Sequence, residues 1–410
     1  MKRLKFLVFI IIFFTLSAFT GTVDMNGYVR SYMGMLLNGD TDFSIIQNTL
    51  DLDFESKSDK VGLKANPYIY HYNDKDIVFN LREVYLDLYF NSFDLRIGKQ
   101  QVIWGKADGV FITDIVSPKD LSEFLLRDFD EIRMGVTAVK FDYYIKNNTL
   151  ELVWIPVFSS TLEAEEGSIW RPAMDIPQYA NFDLSKKEIT PSLKNSEIFL
   201  KFSALTSFID FELMAGYTWD DDPVIHSLKE IDPLTQTILS LTFFPTHHRL
   251  TVFGGSFSST FGGLIIRGEG AFYKGKYFQT SDSTEPEGVV KKDYLQYLIG
   301  LDRTIWGIKV SVQFIQKAIL DYKTNIIPAQ YENLVTFLAR KDILRETLHL
   351  ELFTYIGLDN RDALIRPKIT YDFADSFSLL LGANIFTGDK GSFGQFKNND
   401  MVYMKLKYSF

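Results

Sequence analysis

Histidine, serine and acidic residues would have to build any catalytic site in this chain, and their spacing builds none. A phospholipase-like site needs a serine with histidine and asparagine, and a protease-like site needs paired aspartate and histidine. The histidines are scattered, and no such grouping surrounds them. They are His71, His226, His247, His248 and His349. The sequence therefore predicts that this protein is not an enzyme.

Metal and cofactor chemistry have equally little support. The chain has no cysteine and only five histidines, so the ligands of a zinc site are missing. The absence of cysteine suits a protein that passes through an oxidising compartment. We expect no metal and no cofactor.

The first 21 residues have the pattern of a cleavable signal peptide. Residues 1–5 are cationic, residues 6–14 are continuously apolar, and residues 15–21 offer small side chains for cleavage. The apolar run is too short to span a bilayer stably, and no later segment approaches the ~20 apolar residues that a membrane helix needs. Removing the three basic residues of this segment takes the formal charge from −9 to −12, which argues against nucleic acid as a partner.

From residue 23 onward the dominant period of the sequence is two. In residues 46–55, apolar side chains at 46, 50, 52 and 54 alternate with Gln, Thr, Asp and Glu. The same alternation recurs at 84–90, 209–215, 306–314 and 348–352. Alternation predicts β-strands with one apolar and one polar face.

Strand length and loop asymmetry favour a membrane barrel over a soluble sandwich. Transmembrane strands need ~9–11 residues, and barrels alternate short turns with long loops. We predict one all-β domain over residues 22–410, a single transmembrane antiparallel β-barrel of about 18 strands, with sixteen as the alternative count. Both termini then lie on the periplasmic side, and residues 236–244 form an extracellular ribbon or part of a loop. The predicted strands are 22–36, 44–56, 60–72, 77–91, 93–104, 133–144, 149–158, 195–205, 208–219, 248–260, 263–277, 291–304, 306–318, 331–340, 343–356, 361–373, 376–387 and 400–409.

Aromatic content and the last strand indicate the bacterial outer membrane. The chain has 36 Phe, 21 Tyr and 5 Trp, more than soluble cores need, whereas a barrel wall and its two girdles use them. Residues 401–410 alternate and end in Phe410, which resembles the signal that barrel-assembly machinery recognises. We therefore expect outer-membrane lipids and that machinery as partners.

Four segments resemble a large family of outer-membrane barrels, assigned mostly to a domain of unknown function and distantly akin to alginate-type porins. The segments are 95–106 with its Trp-Gly end, 114–121, 266–272 with its Arg-x-Glu pattern, and 392–400. Ser117 stands where that family more often has Asn. The resemblance implies the fold more firmly than the cargo, since members are regarded as porins or as outer-membrane parts of export systems.

The segment 105–132 is the most informative functional feature. It is the third long connection, which in many porins folds into the lumen. Its end, residues 120–129, has apolar residues at helical spacing and predicts a short helix against the inner wall. Seven acidic residues oppose Lys106, Lys119 and Arg127, and an acidic constriction favours cations. A lid outside the barrel is an equal alternative. The acidic residues are Asp108, Asp114, Asp120, Glu123, Asp128, Asp130 and Glu131.

Charged residues on the predicted walls have two interpretations. Arg96, Arg267, Glu269, Arg366 and Lys368 either line a hydrated pore or pair across strands and stiffen the wall. Pairing is the preferred interpretation for the first three. We interpret Trp104, at a predicted strand end, as a girdle or corner residue.

Three functions are compatible with such a barrel. The first is a channel for passive diffusion of small hydrophilic solutes, mildly cation-preferring, and assembly into a homo-oligomer is compatible with it. The second is the outer-membrane barrel of a lipid or polysaccharide export system, which an apolar or plugged lumen would favour. The third is a closed structural barrel.

Overall fold

The computed structural model describes residues 22–38, 43–73, 75–172, 180–232, 234–235 and 238–410. The predicted signal peptide, residues 1–21, lies outside the described residues. No helix in the described part of the chain is long and apolar enough to cross a membrane.

The described chain is built almost entirely from β-strands. Two four-residue helices, α1 (Phe129–Ile132) and α2 (Gly391–Gly394), and two short 3-10 turns, Leu184–Lys187 and Leu193–Asn195, complete the regular elements. The strands in chain order are β1 (Val23–Leu36), β2 (Phe43–Lys57), β3 (Val61–Tyr72), β4 (Val78–Tyr89), β5 (Phe93–Gln100), β6 (Val136–Ile145), β7 (Asn148–Ile155), β8 (Asn181–Phe182), β9 (Glu197–Leu205), β10 (Asp210–Trp219), β11 (Val224–Ile231), β12 (Ile238–Thr246), β13 (Arg249–Phe261), β14 (Leu264–Gln279), β15 (Val289–Ile305), β16 (Ile308–Ile319), β17 (Tyr331–Ile343), β18 (Leu348–Gly357), β19 (Asp362–Ala374), β20 (Phe377–Thr387) and β21 (Met401–Ser409).

Eighteen of these strands form one antiparallel sheet that closes on itself. The first strand, β1, pairs with β2 on one side and with the last strand, β21, on the other, from Tyr28 opposite Ser409 to Leu36 opposite Met401. Closure leaves no free edge, which is the condition for a sheet to sit in lipid. The prediction of an 18-stranded barrel is confirmed, and the alternative count of sixteen is wrong.

The two faces of the wall differ in the way that the alternation predicted. In β1, Val29 is 48% exposed whereas Arg30 is 7% exposed, and in β13 Phe253 is 51% exposed whereas Val252 is fully buried. The exposed phase is apolar around the ring, so hydrocarbon must cover it. The opposite phase points into the barrel.

Two strands, β5 and β18, are clearly shorter than predicted. The predicted strand 343–356 begins at Leu348, as β18, and the preceding strand β17 continues to Ile343. The predicted strand 93–104 ends at Gln100, as β5. Gly98 has a φ of 137°, and a Cβ there would lie 2.3 Å from the carbonyl oxygen of Val84, so only glycine fits this irregular backbone. Beyond Gln100 the chain leaves the ladder and begins the long connection to β6.

Residues 236–244 were predicted as a ribbon or part of a loop. Residues 238–244 form a strand of a ribbon, and residues 236 and 237 lie outside the described residues. Strand β12 pairs antiparallel with β11, from Val224 opposite Thr246, and β8 adds a short parallel pair to give a small separate sheet. The ribbon lies in the connection between β10 and β13, at the same end as the other long connections.

The inward face of the wall changes character along the barrel. Toward the short turns it carries polar residues such as Asp51, Glu151 and Ser256. Toward the long connections it carries buried apolar residues such as Leu250, Ile315 and Phe386. The polar inner face predicted for the whole wall is therefore correct for only part of it.

Candidate functional site

The connection between β5 and β6 is held at its base by Asp114. One oxygen of its carboxylate accepts hydrogen bonds from the backbone N–H groups of Trp104 and Gly105, both at 2.8 Å. The other accepts from Arg133 at 2.9 and 2.6 Å. A Cβ on Gly105 would lie 3.0 Å from this carboxylate, which explains the glycine. Asp114 thus ties together both ends of the segment.

Two further contacts complete this base. The Ser117 hydroxyl donates to the carbonyl oxygen of Val102 at 3.1 Å and accepts a hydrogen bond from the backbone N–H of Val102 at 2.9 Å. Ser117, the residue of segment 114–121 that departs from the family pattern, therefore helps to hold the base of the segment. Trp104 is buried, and its indole N–H donates to Glu151 at 2.6 Å. The prediction that Trp104 is a girdle or corner residue is wrong, because β5 ends before it and the chain turns toward the inward face.

The first half of the segment contacts β14. Glu269 accepts hydrogen bonds from the backbone N–H of Lys106 at 2.5 Å and from the Thr113 hydroxyl at 2.7 Å. Arg267 donates to the carbonyl oxygen of Lys106 at 2.7 Å and forms an ion pair with Asp108. Glu269 and Arg267 therefore bind the segment. The cross-strand pairing that was the preferred interpretation is also present for Arg267, which lies 3.0 Å from Asp302 of the neighbouring strand β15.

Strands further round the barrel contact the same segment. Gln313 of β16 donates to the carbonyl oxygen of Asp108 at 2.7 Å. The Tyr355 hydroxyl of β18 donates to the carbonyl oxygen of Gly109, also at 2.7 Å. These residues lie on the inward phase of their strands. The segment therefore reaches inward-facing side chains far from its own strands β5 and β6.

Arg366 of β19 binds the second half of the segment. It is 2% exposed and donates to the carbonyl oxygens of Leu125 at 2.8 Å and Leu126 at 2.9 Å. A third hydrogen bond runs to the side-chain oxygen of Asn384 at 3.1 Å. A buried guanidinium that satisfies two backbone carbonyls fixes the chain path at this point.

The acidic residues at the end of the segment are paired with cations. Asp128 lies 2.7 Å from Lys405, and Glu131 lies 2.9 Å from Arg30. Within the segment, Arg127 pairs with Asp120 at 3.2 Å and Glu123 at 3.3 Å. Burial raises the pKa of the Glu123 carboxyl, and the charge of Arg127 opposes that rise.

The other predicted site residues lie apart from these contacts. Asp130 is exposed. Arg96 pairs with Asp87 of β4 at 2.7 Å, the cross-strand pairing that was expected, and Lys368 pairs with Glu351 of β18 at 3.3 Å. Neither of these two side chains forms a hydrogen bond or an ion pair with the segment 105–132, although the charge of Lys368 acts on Asp128 of that segment.

The helix predicted over 120–129 is absent. Isolated turns occupy this stretch, and the only helix of the connection is α1, which begins at Phe129. Phe124 has a φ of 54°, a left-handed conformation that a continuous α-helix excludes. The apolar spacing that suggested a helix instead serves packing against the wall.

Apolar packing surrounds the segment on both sides. Its Ile112, Ile115 and Val116 pack in one cluster with residues of the inward wall such as Leu250 and Ile315. Leu126 belongs to a second cluster that includes Phe353, Phe386 and Tyr403, with Phe124 packed against it. Hydrophobic burial therefore adds to the polar contacts that hold the segment.

Two cavities border the segment. We call the larger one, about 740 Å³, the vestibule; it is lined by the segment, by β10 and β13–β19, and by residues 328–334 and 357–362 at the long-loop end. The smaller cavity, about 110 Å³, lies between the segment and β1–β4 and is lined by Arg30, Arg82 and Tyr68 among others.

A histidine cluster was missed by the sequence analysis. His226 of β11 and His248, which precedes β13, face each other with their Nε2 atoms 2.8 Å apart, and Glu287 lies 2.7 Å from Nδ1 of His226. His248 stacks on Tyr277 of β14. The only sequence signal was the His247-His248 pair, because the fold brings in His226 and Glu287 from other elements.

This cluster joins the ribbon, through His226, to His248 and Glu287 of the barrel, and it predicts that the ribbon is held less firmly against the barrel at low pH. Burial, aided by His226, lowers the pKa of His248 to about 4, while Glu287 opposes the shift and His247 and Lys291 add to it. A histidine with a lowered pKa stabilises the docked state above its ordinary pKa of about 6.5 and loses that contribution as the pH falls toward 4. Proteolysis within residues 224–246 should accelerate severalfold between pH 7 and pH 4.5.

The control for that experiment is the double variant His226→Gln, His248→Gln. Its proteolysis should be faster at pH 7 and should change little with pH. A wild-type ribbon whose cleavage rate is flat over this range, using a protease whose own activity has been corrected, would contradict the prediction.

Solved structures share this fold. Acinetobacter baumannii OccAB1 matches with a TM-score of 0.57 at 9% identity, over 95% of this chain and 96% of that one. Pseudomonas aeruginosa OccK2 (OpdF), solved in complex with glucuronate, matches with a TM-score of 0.56 at 11% identity, over 95% of this chain and 97% of that one. At these identities the likeness shows the fold. A search of curated proteins found no match.

A closed barrel of this size with an apolar exterior is an integral protein of the bacterial outer membrane, and its fold is that of the outer-membrane porins. Residues 53–410 match the family described as protein of unknown function (DUF1302), so the chain belongs to that family. The more distant kinship with alginate-type porins stays a prediction.

Proposed function

We propose that the protein is a porin-like channel for passive diffusion of small solutes, with the segment 105–132 folded into the lumen as its constriction. The observation that carries the proposal is the set of contacts from this segment to Glu269, Gln313, Tyr355 and Arg366. These residues stand on the inward faces of four different strands. A lid outside the barrel has no access to them.

A mild cation preference is part of the proposal, and the vestibule supports it better than the constriction does. The acidic residues of the segment are mostly neutralised by Arg30, Arg127, Arg133, Arg267 and Lys405. The vestibule is lined by seven carboxylates and three lysines, and it keeps an excess of acidic groups when Asp114, which is paired with Arg133, is left out. Fixed charge at a channel mouth raises the local concentration of counter-ions, and salt screens the effect.

Recordings in planar bilayers test both the channel and its cation preference. Purified protein should give reproducible conductance steps, and a salt gradient should give a small reversal potential of the cation-selective sign that shrinks as the salt concentration rises. The double variant Asp221→Asn, Asp222→Asn should shift that potential toward zero. Absence of conductance steps in correctly folded protein would contradict the channel, and an anion-selective potential would contradict the preference.

A second candidate is the outer-membrane barrel of a lipid or polysaccharide export system. The apolar clusters around the segment favour it, because a hydrated pore for hydrophilic solutes does not need them. Such a barrel would conduct only when a periplasmic partner moves the segment. The third candidate, a closed structural barrel, would conduct no ions in planar bilayers under any condition.

The C-terminal residue provides a test of assembly. The backbones of Phe410 and Gly27 exchange hydrogen bonds of 2.9 and 3.0 Å, and the Phe410 ring lies near Tyr408 in an aromatic group with Phe377. We propose that Phe410 also engages the barrel-assembly machinery. Phe410→Ser should lower the amount of protein in the outer membrane severalfold, whereas Phe261→Ser, at an exposed short turn, should change it little. Equal levels for both would contradict this role.

The remaining expectations concern activity and partners. We expect no phospholipase or protease activity, no bound metal or cofactor and no affinity for nucleic acid. Outer-membrane lipids cover the apolar exterior, and assembly into a homo-oligomer is compatible with the barrel. Enzymatic assays and size measurement in detergent test these expectations.

A further inference from the structure

The vestibule has the properties of a ligand site as well as those of a passage. We propose that it binds small amphipathic organic cations, molecules with an apolar or aromatic body and a positive charge, and that the channel takes these up in preference to other solutes. This inference rests on the proposed channel function and narrows its solutes.

The size of the vestibule suits such a molecule. Its volume of about 740 Å³ falls within the 300–1,000 Å³ of small-molecule sites, which are mostly apolar with a few placed polar groups. A hydrated ion or a sugar gains little from apolar side chains, so the apolar part of the lining favours a solute with an apolar body.

Apolar and aromatic side chains supply much of the lining. Val110, Phe111 and Leu334 are half-buried and border the cavity, so part of each side chain remains free to contact a ligand. Trp219 and Tyr294 border it with aromatic rings. A cation gains additional attraction from the face of such rings.

The charges of the vestibule determine the sign of the ligand. Seven carboxylates and three lysines line it. Two of the lysines pair with carboxylates of the same lining, Lys276 with Asp220 at 2.5 Å and Lys317 with Glu332 at 3.1 Å. A third carboxylate, Asp114, pairs with Arg133. Four carboxylates then remain against one lysine. An anionic amphiphile would therefore meet excess negative charge, whereas a cationic one would complement it.

Asp221 and Asp222 are the carboxylates best placed to act on a ligand. Asp222 is exposed, and Asp221 stands beside it in the chain, where Lys119 is the cation that acts on it most strongly. Burial raises the pKa of the Asp221 carboxyl. Its negative charge is therefore costly in the empty vestibule, and a bound cation would reduce that cost.

The test uses two ions of nearly the same shape and opposite charge. Tetraphenylphosphonium and tetraphenylborate are titrated into the full-length barrel in nanodiscs, with binding measured by calorimetry. The double variant Asp221→Asn, Asp222→Asn is compared with the charge-matched double variant Glu230→Gln, Asp232→Asn on the ribbon. Subtracting the matched variant removes partition into the lipid. Tetramethylammonium, a cation without an apolar body, tests the contribution of the apolar lining.

We expect saturable binding of tetraphenylphosphonium, about tenfold weaker in the vestibule variant than in the matched control. Tetraphenylborate and tetramethylammonium should show no such difference. Equal affinity in both variants, or equal binding of both tetraphenyl ions to the vestibule, would overturn the inference. Calorimetry needs no current, so a barrel that conducts without binding refutes only this inference, and a silent barrel that binds refutes only the channel.

Discussion

Replacing residues 106–131 with a flexible Gly-Ser linker is expected to raise the single-channel conductance about threefold or more, because the segment then no longer narrows the lumen. The gain should come with loss of the apolar clusters that the segment shares with the wall, so the variant should also unfold at a lower denaturant concentration. Single-channel recording and urea unfolding measure the two effects.

The matched control removes another long connection. The ribbon of β11 and β12 stands between β10 and β13. The vestibule lining includes residues 218–222 at its base but none of the residues that the structure describes between 224 and 246. Excising 224–246 should leave conductance nearly unchanged. If the first variant folds, as heat-modifiable migration on gels would show, and its conductance equals that of the wild type, the segment is not the constriction.

The second large effect concerns Arg366. Arg366→Leu removes three hydrogen bonds and leaves the carbonyl oxygens of Leu125 and Leu126 without their buried partner. Hydrogen bonds to charged groups contribute about 1.5–3 kcal/mol each, so we expect the free energy of unfolding to fall by about 3 kcal/mol or more. The released segment should also produce rapid closures in single-channel traces.

Arg340→Leu is the control for Arg366. The Arg340 side chain is 55% exposed, and its partner is Glu351 at 2.7 Å. Exposed ion pairs contribute about 0–1 kcal/mol, so this change should have little effect on unfolding or on channel noise. Similar destabilisation by both substitutions would mean that the contacts of Arg366 with the segment contribute no more to the free energy of unfolding than an exposed ion pair does.

The barrel could be predicted from the sequence because alternation and loop length depend only on neighbouring residues. All eighteen strands of the barrel lie where the alternation placed them, and β5 and β18 are clearly shorter than predicted. Within β5, Gly98 has a positive φ that becomes evident only in the folded chain.

The partners of the charged residues could not be predicted in the same way. Arg267 and Glu269 were correctly identified as wall residues, but their bonds to Lys106, Asp108 and Thr113 bridge more than 150 residues of sequence. Arg366 binds backbone carbonyls, which leave no mark in the sequence. The excess of acid in the segment suggested a charged constriction, and the wall supplies most of the neutralising cations.

The apolar part of the inner wall can be recognised in the amino-acid sequence. At residues 250–253 and 352–355, near the long-loop ends of β13 and β18, apolar residues occupy both phases of the strand. A wall with one wet face does not need this pattern. Loss of alternation at one end of several strands therefore indicates that another part of the chain packs inside the barrel.

A double-mutant cycle between Asp108 and Arg267 tests the position of the segment most directly. Asp108→Ala, Arg267→Ala and the double variant are compared by urea unfolding of the folded barrel. If the segment lies in the lumen, where these side chains meet, the two losses should differ from additivity by about 0.5–3 kcal/mol. Additivity within about 0.3 kcal/mol would show that Asp108 does not contact the inner wall, and the segment would then lie elsewhere.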